Sequence, residues 1–209
     1  MKQGYDFNIK QIKNLSLEEK NFRQKKLDLF YESGFPSKQI EDWKFTDLNL
    51  ILNKNFESIS NEVNFESNKE LETIKSFEHN YIFLNNGKII STNFTHEKIN
   101  KIFIRNFNQK ESTYLELGNT LTLLNNALSL GGFSLEVAKN YKLKKPLVIY
   151  NYFSKDLKNK ILNNKNSIKL NEGSELMLID YNDGHVQSNF IKNTIETVSL
   201  DENACLKNI

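Results

Sequence analysis

Three seven-residue stretches in the last third of the chain repeat one pattern. Residues 137–143 read V-A-K-N-Y-K-L, residues 170–176 read L-N-E-G-S-E-L, and residues 200–206 read L-D-E-N-A-C-L. The steps between them are 33 and 30 residues. An aliphatic residue closes each copy at both ends, and Asn140, Gly173 or Asn203 holds the fourth place. Glycine and asparagine are the residues that best tolerate positive φ, so the fourth place predicts a tight corner between two strands. A corner returning at a period of about 30 residues predicts a stacked architecture, a parallel β-solenoid.

The residues around the corners carry the strand signal. Phe133, Leu135 and Val137 alternate with Ser134 and Glu136, and Ile168 with Leu170 and Val198 with Leu200 keep the same period of two. The runs Leu147-Val148-Ile149-Tyr150 and Leu176-Met177-Leu178-Ile179 follow two of the corners, with Pro146 at the start of the first. A stack of this kind leaves a strand edge open at each end unless something covers it. The helical N-terminal region is expected to cap the first coil. The third corner lies three residues from Ile209, so the chain reads as the front part of something longer.

Upstream the period is helical. Ser16 and Glu19 form an S-x-x-E capping box, and Phe22, Leu27, Leu29, Phe30 and Tyr31 supply one apolar stripe. Gly34 and Pro36, one of only two prolines, end that helix. A second helical stretch is expected at residues 48–52, and a loosely ordered connection with some helix at residues 53–77. Residues 81–90 read as strand, Asn-Gly turn and strand. Residues 101–104 read as a short strand. Residues 115–130, with Leu117, Leu121, Leu124 and Leu128 at helical spacing, read as a helix ending at Gly131-Gly132. The expected class is mainly β with α, divided into an N-terminal α/β capping domain (1–110) and a truncated core β-helix (111–209).

Charge and cysteine usage exclude several functions. With 28 basic and 26 acidic side chains the formal net charge is +2, without the concentrated basic face of a nucleic-acid binder. Lys20, Arg23, Lys25 and Lys26 are interleaved with Glu18, Glu19, Asp28 and Glu32, which predicts a solvated helix face. The N-terminus has no secretory h-region, and no apolar run approaches the ~20 residues needed to cross a bilayer, so a cytoplasmic protein is expected. Cys205 is the single cysteine, which excludes an internal disulfide.

Candidate chemical groups are few. Cys205 takes the outward slot between Ala204 and Leu206 and reads as a passive thiol rather than a cluster ligand. Residues 180–185, D-Y-N-D-G-H, tempt a metal reading, but a calcium loop starting there would need Gly and Glu where His185 and Ile191 stand; a polar turn between coils is expected instead. Ser188 with His185 and Asp183 is a local cluster without the convergence a nucleophilic triad needs. Trp43 and Phe45 are expected to anchor the turn after the first helix while Glu41, Asp42 and Lys44 face water. No catalytic, cofactor-binding or metal residue is assigned.

At this point a resemblance enters. Gly34-Phe35-Pro36 followed by E-D-W-K-F-T-D-L at residues 41–48 is similar to the G-L-P…E-D-W-K-Y-T-D-L signature of SufD proteins of the SUF iron–sulfur assembly system. Leu124-Asn125-Asn126-Ala127, Gly132 and the run to Pro146 resemble the opening of the SufB/SufD core. Residues 166–181 and 189–206 resemble its next coils. Phe35 and Phe45 replace the usual Leu and Tyr, and the family's later coils and C-terminal helical region have no counterpart here. The resemblance implies a right-handed parallel β-helix that pairs with a SufB-like paralogue and docks a SufC-like ATPase. The iron–sulfur cluster belongs to the assembled complex, with no cofactor bound by this chain alone. His79, His96 and His185 match no family motif. The absence of a G-x-x-x-x-G-K-[ST] loop assigns any ATP hydrolysis to another chain. Two rival readings remain. One is a β-helix carbohydrate-active enzyme, for which Lys139, Glu172 and Glu202 stack by the repeat. The other is an inactive fragment.

Overall fold

A computed structural model describes residues 4–65, 70, 72–107, 119–184 and 189–209. Helix α1 (Leu17–Ser33) begins at the expected capping box. Ser16 Oγ accepts from the Glu19 amide at 3.1 Å, and Glu19 Oε2 accepts from the Ser16 amide at 2.9 Å. Its end is Gly34 at φ 70°, whose amide donates to Phe30 O at 2.6 Å. The buried face is not the expected one. It runs Arg23, Leu27, Phe30, while Tyr31 turns outward and donates its hydroxyl to Phe7 O at 3.0 Å. Phe30 meets Phe35 edge-on at 5.1 Å, and Phe7 packs on both.

Two short strands were not legible in the sequence. β1 (Gly4–Asp6) pairs in parallel with β2 (Ser58–Ser60), inside the stretch expected to be a loose connection. Between them α2 (Leu48–Asn55) starts at Asp47, whose carboxylate accepts from the Leu50 amide at 2.9 Å. Residues 41–48 lie on the surface. Trp43 ends a three-residue 3₁₀ turn, and Phe45 is 90 % exposed. Among the described residues Phe45 therefore anchors no turn, contrary to expectation, and only the neighbouring Lys44 ammonium lies over its ring.

Strands predominate beyond residue 79. β3 (Asn80–Asn85) and β4 (Lys88–Asn93) form the expected hairpin, with Asn86 at φ 48° and Gly87 at φ 83°. β5 (Ile102–Asn106) follows, then α3 (Thr120–Leu128). The α3 N-cap, Asn119, accepts from the amides of Leu121 and Thr122, so the described helix begins later than the leucine spacing suggested; Leu115 and Leu117 lie outside the described residues. The remaining strands are β6 (Phe133–Val137), β7 (Leu147–Phe153), β8 (Ile161–Leu170), β9 (Glu175–Gly184), β10 (Ile191–Leu200) and β11 (Cys205–Asn208). The chain is thus mixed α/β with mostly strands.

These strands alternate between two sheets of order β10-β8-β6-β5 and β11-β9-β7-β3-β4. Within each, β6, β8 and β10, or β3, β7, β9 and β11, pair in parallel. Register stacks like on like: Leu135, Ile168 and Val198 form one column, and Val137, Leu170 and Leu200 the next. Further along the strands the columns turn polar, from Leu84 to Asn151 to Asn182 and from Ile82 to Ile149 to Asp180. The first rung is covered by strands rather than helices, since β5 runs antiparallel on β6 and β4 antiparallel on β3. The helices lie elsewhere, with α3 against α1 and across β8 and β10. Residues 180–184 belong to β9, in register with β7, so they are strand and not the expected turn.

Candidate assembly surface

The repeat builds a ridge down one side of the two sheets. Asn140, Gly173 and Asn203 adopt φ of 56°, 66° and 57°, the left-handed geometry a corner needs. Successive corners bond to one another: Asn140 N donates to Glu172 O at 2.7 Å and Gly173 N to Glu202 O at 2.9 Å. Positive φ favours glycine at 173, where an added Cβ would also displace the tip of the Asn140 side chain. Beside the ridge, Lys139 pairs with Glu172 at 2.6 Å, Lys142 with Glu175, and Lys169 with Glu136 at 3.7 Å. All six are part-exposed, so each pair adds at most about 0.2–1 kcal/mol and mainly fixes register. The Lys139 and Glu172 positions read as stacked in the sequence are therefore one ion pair.

Among the described residues β10 pairs with β8 alone and β11 with β9 alone, which leaves a strand edge beside the ridge. Ile168 and Leu170 are fully buried, whereas Val198 and Leu200, next in the same columns, are 44 % and 50 % exposed. Beside them Asp180, Lys192, Thr194, Glu196 and Asn208 line a polar recess of about 120 Å³. Burial, reinforced by the nearby Asp180 carboxylate, pushes the Glu196 carboxyl above its usual range, and Lys192 opposes this. Asn151 donates to Asp180 Oδ1 from the neighbouring strand. Among the described residues no group of three or more His, Cys, Asp or Glu side chains is placed to hold a metal ion.

Under α3 lies a feature that sequence reasoning missed. Arg23, expected on a solvated face, is buried and donates from Nη1 to Ala127 O at 2.7 Å and from Nη2 to Ser129 O at 3.2 Å. A cation there meets the last carbonyls of α3, where the helix dipole is negative. Lys165 is 5 % exposed and donates from Nζ to Asn126 Oδ1 at 2.7 Å. Burial, with the Arg23 charge adding to it, lowers its ammonium to about 8. No periodicity flags either residue, because the polar run Asn163-Asn164-Lys165-Asn166 reads as surface.

The remaining sequence candidates do not converge. Cys205 is half-buried on β11, opposite Glu175 in register. His79 is buried, its Nδ1 3.0 Å from Phe77 O and its Nε2 2.7 Å from Tyr150 Oη, which makes it a packing residue. His96 acts electrostatically on Glu78, on the loop before β3. His185 and Ser188 lie outside the described residues.

Comparison with known families settles the kinship. The family model described as the SufBD protein N-terminal region matches residues 3–149, from β1 through α1, the hairpin and the first rung into β7. The chain belongs to the SufBD family. The match takes in Gly34-Phe35-Pro36, the E-D-W-K segment and Leu124–Ala127 within α3, on which the resemblance partly rested, while residues 166–181 and 189–206 lie beyond it. No curated protein matches this SufBD chain. Among its described residues no helix is long and apolar enough to cross a membrane.

Proposed function

We propose that the chain is a SufD-like, non-catalytic scaffold subunit of SUF iron–sulfur cluster assembly, working in the cytoplasm. The observation that carries the reading is the SufBD family match on a chain whose rungs repeat in register and end at the β10–β11 edge. The two parallel ladders, joined at stacked corners, are read as the first coils of a right-handed parallel β-solenoid. A strand added against β10 would bury Val198 and Leu200 as Ile168 and Leu170 are buried.

On this reading the chain's chemistry is that of a rigid surface. A SufB-like paralogue and a SufC-like ATPase supply the shared interface and the nucleotide hydrolysis, and the nascent cluster is cargo of the complex, passed on to acceptor proteins. Cys205, alone, cannot provide the several ligands a cluster takes. The choice of SufD over SufB rests on the E-D-W-K segment, since the core motifs fit both paralogues.

Co-expression with a SufB-like chain and a SufC-like ATPase tests the proposal. The expected result is co-elution of all three, with the visible absorbance of an iron–sulfur cluster in the complex and none in this chain alone. Purification of the chain free of both partners, together with cleavage of a polysaccharide, would overturn it in favour of a carbohydrate-active enzyme.

A further inference from the structure

The outward face of the β3-β7-β9 sheet carries an aromatic array fixed by strand register. Phe83, Tyr150 and Tyr181 form one row across the three strands, and Asn85, Tyr152 and Asp183 form the next. Side chains two apart on a strand share a face, so both rows lie on the same outer surface. Tyr150 meets Tyr181 edge-to-face at 5.5 Å and 66°. Its hydroxyl is already engaged, 2.7 Å from His79 Nε2 and accepting from the Ile74 amide at 2.9 Å. Tyr150 is therefore a fixed, buried floor, while Tyr181 is 44 % exposed and Asp183 is exposed beside it.

These rows line a slot of about 130 Å³, to which Glu70 and Glu72 add their carboxylates to that of Asp183. No basic side chain is among its described lining residues. Ring faces are the negative part of the aromatic quadrupole and attract a cation within about 6 Å. Three acidic residues along the aromatic walls add negative charge to the slot. A neutral sugar wants a flat exposed ring as platform and free hydroxyls to bond. Here the rings meet edge-to-face and the Tyr150 hydroxyl is taken. An anion is repelled outright.

We propose that this slot receives the cationic head of an arginine or lysine side chain presented by a partner protein. Asp183 pairs with the charge, and Tyr152 and Tyr181 pack against the head. The site stands on the opposite side of the sheet from the inner columns, so it operates whether or not further rungs cover the β10–β11 edge. Its failure and that of the scaffold reading are therefore separate results.

NMR titration of the full chain, observing tyrosine ring signals, tests this. A capped Gly-Arg-Gly peptide is expected to shift the Tyr152 and Tyr181 signals saturably at low millimolar concentration. The same peptide with citrulline, a neutral isostere of arginine, should bind at least about fivefold more weakly, and Asp183→Asn should cost about fivefold in arginine-peptide affinity at unchanged thermal stability. Tyr181→Leu, at a half-exposed position, serves as the second variant and should weaken binding similarly. The proposal is overturned if the citrulline peptide binds as tightly as the arginine peptide. Indifference of binding to both substitutions, saturation by a neutral oligosaccharide instead, or no saturable shift up to about 20 mM peptide would overturn it equally.

Discussion

Replacing Lys165 with methionine asks whether the junction of α3 and β8 holds a charge that nothing neutralises. Among the described residues the ammonium's hydrogen-bond acceptor is Asn126 Oδ1, and a second buried cation, Arg23, is its electrostatic neighbour. Its folded-state pKa is about 8 against 10.5 for an unperturbed lysine. At about 1.36 kcal/mol per pH unit the difference amounts to roughly 3 kcal/mol. Because the folded pKa lies below the unfolded one, the unfolded chain binds more protons between those values, and stability must rise with pH across that window. Below pH 8 the folded protein carries the whole penalty; above 10.5 it carries none. Lys165→Met removes the titration but leaves Asn126 Oδ1 without its donor, at about 1–3 kcal/mol. The informative quantity is therefore the difference between the two proteins as a function of pH, not its value at one pH. Urea unfolding followed by circular dichroism from pH 7 to 11 measures it, and the other lysines and tyrosines titrate in both proteins and largely cancel. Wild type should gain roughly 3 kcal/mol on the variant between pH 8 and 10.5. A pH-independent difference would refute the argument that this ammonium is buried uncompensated.

Three further substitutions probe the elements that position the ladders. Gly173→Ala should destabilise by about 1–2 kcal/mol in thermal melts, because alanine resists positive φ and its Cβ meets Asn140 Oδ1. Burial pushes the Glu97 carboxyl up, yet hydrogen bonds from Tyr141, Asn80 and the Lys144 and Lys145 amides outweigh it and hold the group below its usual range. Its stabilisation is thus present at neutral pH and lost as pH falls through the acid range, and Glu97→Gln should flatten the acid limb of a stability–pH curve. Ser16→Ala removes one half of the capping box and should cost about 1 kcal/mol, measurable as a lower urea midpoint at unchanged slope.

Much of this architecture was written locally and could be read. The capping box at Ser16, the Asn86-Gly87 turn and the corners at Asn140, Gly173 and Asn203 each depend on a few adjacent residues with special backbone or hydrogen-bonding chemistry. What escaped reading depends on distant partners. β1 and β2 are three-residue strands that exist because each finds the other across more than 50 residues. Arg23 is buried because α3 ends over it, and nothing within α1 signals that. Residues 180–184 look like a polar turn, yet β7 runs alongside and supplies the pairing that keeps them extended. Phe45 misled in the opposite sense, since an aromatic residue near a helix start suggests anchoring and this one faces water. The candidate surfaces were legible as ridge and columns but not as the tyrosine rows, which need the offset between β3, β7 and β9 that only pairing provides.

The two ends of the ladders differ in what they permit. At one end β4 and β5 run antiparallel to the strands they cover, which breaks the translation of about 30 residues that relates one rung to the next. A further rung added there would find neither a matching corner nor a matching column. At the other end the translation is intact: Asn203 keeps the corner geometry of Gly173, and Val198, Leu200 and Leu206 keep the columns of Ile168, Leu170 and Leu176. Any extended segment that joins in the same register extends those apolar columns and gains backbone hydrogen bonds at once, so growth or pairing of this stack is directional. The charges sharpen the direction. Glu172 is matched by Lys139 on the preceding rung, and Glu202 holds the same place in the next copy of the repeat. A basic residue arriving opposite Glu202 would pair with it as Lys139 pairs with Glu172, and an acidic one would be repelled. The stack thus favours one edge for any strand that joins it, and one sign of charge at the corner of that strand.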